Sequence, residues 1–418
     1  MKRLVILGGG TAGTIIANKL RHRLDGANWA ITVVDRDDEH HYQPGYLFVP
    51  FGGYTRKQVV RSRHVFLPDG VEFVVGSVDK VDPAGSVVLL ADGRRLDYDQ
   101  LVIATGTTGR PDQTPGMLGP EWQRSIFDFY SLEGAEALAE ALTRFEAGRL
   151  VVHITEMPIK CPVAPLEFTF LVEAWLRERG IRDRVELVYV TPLDGAFTKP
   201  VASAHLGGML DERKVHVETD FMVEQVDNER KMLVSYDERE IPFDLLVTVP
   251  LNMGADFVAR SGLGDELNYV PVDRHTLLSK SYDNIFAVGD AGDIPASKAG
   301  SVAHFAVEIF VGNFLEHVEG RPMTGSFDGH ANCFVESGDD KALLIDFNYD
   351  IEPLPGKYPL PVVGPLDLLK ETRANHLGKL AFRWIYWNVL LPGRHVPLPA
   401  HMSMVGKTVP EHHEEQEA

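Results

Sequence analysis

Only two thiols stand in this chain of 418 residues, Cys161 in "TEMPIKCPVAP" (155–165) and Cys333 in "GHANCFVES" (329–337). Ionised, a thiol is a nucleophile and half of a two-electron redox couple; an ordinary cysteine ionises near pH ~8.5, and a nearby lysine or helix amino end lowers that. Protonated and buried, the same residue is an inert small hydrophobe. The two lie 172 residues apart, which is neither a metal knuckle nor the dense cysteine framework of a small secreted domain. The choice is between bland packing and specific sulfur chemistry, and no metal site is expected.

A second group of chemistry-bearing residues opens the chain. In "KRLVILGGGTAGTIIANKLRHRL" (2–24) an apolar strand runs into Gly8, Gly10 and Gly13 in G-x-G-x-x-G order, with Thr11 and Ala12 between, and then into a helix carrying Ile15, Ile16 and Leu20. Such glycines let the backbone turn tightly and approach a pyrophosphate seated on the positive end of the helix. The next strand, "AITVVDR", ends in Asp35, 22 residues after Gly13, where a carboxylate can accept ribose hydroxyls. The glycine turn alone is weak; strand, helix and distal acid together predict dinucleotide binding. Two more apolar runs end in comparable turns, "YDQLVIATGTTGRP" (98–111) at Ala104, Thr105 and Gly106, and "YDNIFAVGDAGDIP" (282–295) at Gly289 and Asp290.

The elements that must position these groups read as α/β. Strands "RLVVHI", "RVELVYVT" and "DLLVTVP", with a helix in "APLEFTFLVEAWLRERG", make a second doubly wound unit. In a nucleotide-binding unit the turn after the first strand carries glycines. Here it is the glycine-free stretch around Cys161, where prolines remove amide donors and side chains fill the space a pyrophosphate needs, so NADH is not expected there.

The formal net charge of -19 argues against nucleic acid, which is held by clustered Lys and Arg. In "MKRLVILGGG" the apolar run is too short for a cleaved signal peptide and reads as a first strand. No window is long and apolar enough for a spanning helix. "NHLGKLAFRWIYWNVLLPGRHVPLP" (375–399) mixes Trp, Tyr and Leu with Lys379, Arg383 and Arg394, a composition suited to the headgroup layer of a membrane. The closing "EHHEEQEA" is expected to be disordered.

The fingerprint, "HHYQPGYLFVPFGG" (40–53), the two turn segments, "IKCPVAPLEF", "NCFVE" and the tail together resemble the sulfide:quinone oxidoreductases, a family of two-dinucleotide-domain flavoproteins, over most of the chain. The resemblance implies FAD, contacted by Gly8, Gly10, Thr11, Ala12, Gly13, Asp35, Ala104, Thr105, Gly106 and Gly289, with Asp290 on the ribitol. It places the amino end of the helix in "SKAGSVAHFAVEIF" (297–310) at the flavin's pyrimidine edge. It makes Cys161 and Cys333 the pair that oxidises sulfide to polysulfide or sulfur, with two electrons passed to a membrane quinone. Glu167 and His205 match an acid and a histidine discussed as bases in that family. Lys298 is counted with the cofactor contacts and, with apolar residues around Phe334 and Phe347, as quinone-pocket lining. The third cysteine of some members is missing, which excludes a flavin tethered through cysteine.

The expected fold is α/β, with two doubly wound Rossmann-like domains, an FAD domain and a degenerate NAD-like domain, plus a C-terminal membrane-associating region. Residues 1–110 and 263–320 are expected to build the FAD domain, 111–262 the second domain, and 321–418 the C-terminal region with amphipathic membrane-binding helices. A homo-oligomer at the periphery of the cell membrane is expected. The competing readings are an NADH:quinone oxidoreductase, which needs the missing glycine loop, a flavocytochrome-type sulfide dehydrogenase, which needs export, and a protein that binds FAD and sulfur without turnover.

Overall fold

The computed structural model describes residues 1–362 and 364–409, so the "EHHEEQEA" tail lies outside the described residues. β1 (Lys2–Leu7) buries Leu4, Val5, Ile6 and Leu7 in succession, the pattern of a parallel strand covered on both sides. α1 (Thr11–Arg21) follows, and then β2 (Trp29–Asp35). These join a five-stranded parallel sheet in the order 285–287, 100–103, β1, β2, 71–75. The order reverses direction at β1. A crevice opens there beyond the carboxyl ends of the strands, the place where open α/β sheets take ligands.

Two glycines make that crevice possible. Gly8 has φ +98°, and a Cβ there would lie 2.4 Å from the Ala104 carbonyl oxygen. A Cβ on Gly13 would lie 1.9 Å from the carbonyl oxygen of Gly8, so only glycine lets α1 start this close to β1.

A second five-stranded parallel sheet runs 126–127, 245–249, 148–154, 185–190, 216–218. α2 (Ala164–Glu178) connects strands 148–154 and 185–190 and buries Leu166, Phe168, Phe170, Val172 and Leu176 completely. Both expected doubly wound sheets are thus present. The chain returns to the first sheet with strand 285–287 and enters α3 (Gly300–Val318), which packs on α1.

The last hundred residues begin with a hairpin of β3 (Ala331–Gly338) and β4 (Lys341–Phe347), which sets Cys333 opposite Ile345. Strands 366–368 and 356–358 widen it to four strands. β3 packs on α2, and Gly338 is needed at that crossing because a Cβ there would lie 2.7 Å from the Ala174 methyl. α4 (Arg373–Ile385) crosses the hairpin and runs into a π-helical turn, Tyr386–Leu390.

Within the expected C-terminal region of 321–418, the stretch 375–399 carries α4 and the π-helical turn that follows it. It is one helix with two destinations. Leu377, Leu380 and Trp384 are exposed along one side of α4, whereas Tyr386, Trp387, Leu390 and Leu391 are buried in the core that includes α1. Tyr386 bonds Thr11, and the Asn18 amide donates to the Leu391 carbonyl. Among the described residues, no helix is long and apolar enough to cross a membrane.

Candidate active site

Cys161 occupies a turn that the fold holds from three directions. Its backbone has φ +48°, a left-handed conformation uncommon for a residue with a side chain. Its N–H donates to the Lys298 carbonyl at 2.6 Å, and its own carbonyl accepts from the Ala164 N–H at 2.9 Å and the Tyr130 hydroxyl at 3.1 Å. The glycine-free turn of the second unit is thereby bound to the segment that leads into α3 of the first. Strained residues of this kind cluster where geometry serves chemistry.

Cys333 arrives from 172 residues further along the chain, on β3, with its sulfur 4.0 Å from the Ser301 hydroxyl in the first turn of α3. Both thiols are free, half-buried, and near enough that a charge on Cys333 bears on Cys161. Burial is the main influence on each. It pushes Cys161 far above the usual thiol range, with the Glu167 carboxylate adding to it, and pushes Cys333 up to about 11 against the Ser301 hydrogen bond. Reduced, the pair is held as neutral thiols.

Glu167, in the first turn of α2, is buried rather than standing on an exposed helical face. One carboxylate oxygen accepts from the Glu336 N–H at 2.7 Å and from the Lys379 ammonium on α4, which also donates to the Phe334 carbonyl at 3.3 Å. Burial works against the Lys379 charge, but Glu167 and Glu336 outweigh it and hold the ammonium more tightly protonated than usual. Glu336 is itself buried and meets the His376 Nδ1 at 3.0 Å.

Glu336 and His376 escaped the sequence reading, and Lys379, read from sequence as facing a headgroup layer, instead turns inward onto Glu167. His376 and Lys379 are three apart on one helix, a spacing that shares a face, whereas Glu336 follows Cys333 by three on one strand, a spacing that does not. Single charged residues at such spacings do not announce that they point inward.

The dinucleotide residues converge at the switch point of the first sheet. Cβ atoms added at Gly10, Gly106 or Gly300 would meet nothing within 4 Å, so the glycine turn, the turn after strand 100–103 and the start of α3 line open space. The Thr105 hydroxyl is buried there without a hydrogen-bond partner, and burial pushes the Asp290 carboxyl up against the opposing charges of Lys298 and Lys160. An elongated ligand rich in hydroxyls and phosphate oxygens fits this cradle. Asp35 closes its far side, accepting from the Gly9 N–H at 2.7 Å and pairing with the Arg63 guanidinium at 3.1 Å.

Other expected residues lie apart from the thiols or are engaged elsewhere. Lys298 is buried, donates to the Asp290 and Gly292 carbonyls at 2.9 and 3.0 Å, and sits 3.8 Å over the Tyr269 ring; its ammonium braces the turn bearing Asp290. His205 is exposed on the helix 200–212. Phe347 packs near Phe197, with the Lys199 ammonium over its ring, whereas Phe334 lies against Gly378 of α4. Beside Phe334, Lys379 reaches over Phe48 and Arg383 over Tyr54, and one Arg383 Nη1 is buried without a partner. These aromatic side chains stand together with an unused donor among them.

Residues 2–154 match the family described as pyridine nucleotide-disulphide oxidoreductase. The chain is 28% identical to the mitochondrial sulfide:quinone oxidoreductase of Dictyostelium discoideum over 94% of its own length and 86% of that protein. It is 26% identical to the mouse mitochondrial sulfide:quinone oxidoreductase over 93% and 86%. Its backbone is similar to the crystal structure of the sulfide:quinone oxidoreductase from Aquifex aeolicus, with TM-score 0.78, 20% identity, and coverage of 94% of this chain and 92% of that one.

Proposed function

We infer that this chain belongs with the sulfide:quinone oxidoreductases and oxidises sulfide with a quinone as electron acceptor. The observation that carries the reading is that both cysteines, 172 residues apart in sequence, adjoin the start of α3, Cys161 through its N–H on the Lys298 carbonyl at 2.6 Å and Cys333 with its sulfur 4.0 Å from the Ser301 hydroxyl. FAD fits the dinucleotide cradle: Gly10, Gly106 and Gly300 leave room for it, Thr105 offers it an unused hydroxyl, and Asp290 a carboxylate. When bound, FAD supplies a two-electron relay between sulfur and quinone.

The residues of the chain divide the remaining work. Cys161 and Cys333 carry sulfur as a disulfide or sulfur-bridged pair, and hydrosulfide attacks one of them while the other leaves as a thiolate. The proton released at sulfur is that of the incoming hydrosulfide once its sulfur has joined the bound chain; the buried carboxylate of Glu167, whose charge bears on both cysteines, takes it up. Per turnover, hydrosulfide gives up two electrons and one proton as its sulfur joins the bound chain; the quinone takes two electrons and two protons.

The quinone head fits the aromatic pocket of Phe48, Tyr54 and Phe334, where the unpartnered Arg383 donor suits a carbonyl oxygen. Leu377, Leu380 and Trp384 on α4, beside that pocket, form the surface that rests on the membrane and admits the quinone tail. The same reading includes a homo-oligomer, which sedimentation checks.

The test is anaerobic mixing of the FAD-loaded protein with sulfide and a short-chain quinone. Sulfide bleaches the flavin and quinone restores it; in Cys161→Ser and Cys333→Ser, bleaching slows by about a thousandfold or more, as for loss of a covalent nucleophile. Bleaching at the parent rate in both variants refutes the cysteine pair, and bleaching of the parent by NADH instead favours the NADH:quinone reading.

A further inference from the structure

Charged groups continue past the sulfur site toward solvent. The row begins at Glu167, whose carboxylate holds Lys379. Lys379 also feels Glu336, whose carboxylate meets the His376 Nδ1 at 3.0 Å. The other ring nitrogen of His376 lies 3.9 Å from the carboxylate of Asp340, an exposed residue in the turn between β3 and β4. Glu167 and Glu336 are 1% exposed, and His376 is only partly so. His376, Asp340, Arg373 and Leu377 line a small open depression on the surface. Three elements thus contribute two contacting pairs, Glu167 of α2 with Lys379 of α4 and Glu336 of β3 with His376 of α4, and the Glu336 charge bears on Lys379 between them.

A packing role does not call for this arrangement. Burying two carboxylates and an ammonium costs more than filling the same volume with apolar side chains, and so many buried ionisable groups in file are expensive unless they are used. The balance of the proposed reaction supplies a use. With hydrosulfide as substrate, one proton is released at sulfur and two are consumed at quinone, so one must enter from water at each turnover. The proposed quinone pocket lies under α4, whose outer side presents Leu377, Leu380 and Trp384. A membrane resting on Leu380 and Trp384 would close the direct way in for water there, with the depression at the Leu377 end of the helix as its margin.

We propose that His376 and Glu336 conduct this solvent proton to Lys379, which delivers it to the quinone, while Glu167 passes on the proton from the sulfur side. The proposal rests on the sulfide:quinone reading and assigns His376 and Glu336 as relay residues. The groups that bear on His376 are Glu336 from β3, Asp340 from the hairpin turn and Arg373 from its own helix; those on Lys379 are Glu167, Glu336 and Cys161. Atoms balance as hydrosulfide, quinone and one proton giving enzyme-bound sulfur and quinol.

Stopped-flow measurement of the two half-reactions in the full-length, FAD-loaded protein tests it. In His376→Ala, sulfide bleaches the flavin at the parent rate, while reoxidation by a short-chain quinone slows by about tenfold or more, the loss expected when a proton-transfer partner is removed. Imidazole in the buffer restores that rate, and the pH at which reoxidation is half-maximal shifts. Glu336→Gln, which keeps the shape, gives the same selective loss without rescue by imidazole. Unchanged reoxidation in both variants, or an equal slowing of both half-reactions that imidazole does not mend, overturns the relay. A parent protein that sulfide fails to bleach overturns the functional reading itself, so the two failures are told apart.

Discussion

Glu167 does two opposed things to the thiols beside it, and its replacement separates them. As a carboxylate it raises the pKa of both Cys161 and Cys333, on top of burial. In the proposed reaction it is also the base that takes up the proton of the incoming hydrosulfide. Because the Cys333 thiol is pushed up to about 11, its thiolate fraction below that value grows about tenfold per pH unit. Iodoacetamide labelling of Cys333 in the reduced protein should accelerate by that factor from pH 7 to 10, followed by peptide mass; a plateau near pH ~8.5 would mean an ordinary thiol. Glu167→Gln removes the carboxylate and leaves the Lys379 charge facing the sulfurs. Labelling at neutral pH then becomes faster, while sulfide turnover falls by about a hundredfold or more for want of the base. A merely structural Glu167 would slow both or neither.

α4 shows what a sequence can and cannot disclose about an element. The glycine fingerprint, Asp35 and the two turn segments were legible because their function is written in local spacing, and the strands around them because buried parallel strands are continuously apolar. The two destinations of 375–399 were not: Trp384 and Trp387 are alike in composition, and only the turn at 386–390 decides that one is exposed and the other packs on Phe66. The inward aim of Glu167 was equally hidden, since it depends on β3 crossing α2 some 170 residues later. The exposed side of α4 carries a prediction. Leu377→Asp combined with Trp384→Asp removes about 3 kcal/mol or more of apolar transfer, enough to weaken vesicle binding over a hundredfold. Sedimentation with anionic vesicles measures this, and turnover with a short-chain quinone in detergent stays near the parent value. Loss of the detergent activity as well would place these residues in the pocket rather than on the membrane side.

Across the whole molecule, the carboxyl-terminal segment closes on the amino-terminal unit through a buried histidine. His40 is held neutral: its Nδ1 meets the Gly9 carbonyl at 3.1 Å and its Nε2 meets the Tyr386 hydroxyl at 2.7 Å, and that hydroxyl lies 2.8 Å from Thr11 Oγ1. A neutral ring satisfies both ends by donating from Nδ1 and accepting at Nε2. Burial lowers its pKa to about 3, helped by the Arg63 charge, and burial likewise lowers His153 to about 3 and His304 to about 4. These three lie in the first sheet's crevice, the second sheet and α3, so one proton-linked effect reaches every layer. In each case the unfolded chain binds the proton more tightly than the folded one, so the stabilisation is complete above the ordinary histidine value and is lost as the pH falls toward 3 or 4. The slope approaches 1.4 kcal/mol per pH unit for each ring, or about 4 for the three together, against a total stability of about 5–15 kcal/mol. Urea midpoints should therefore hold steady from pH 8 to 7 and fall steeply from 6 to 4. In His153→Gln, whose side chain can still meet Thr248, the fall should be shallower by about a third. Midpoints unchanged between pH 6 and 4 would mean that these rings are protonated in the folded protein, and that Tyr386 closes the amino-terminal unit by some other bond.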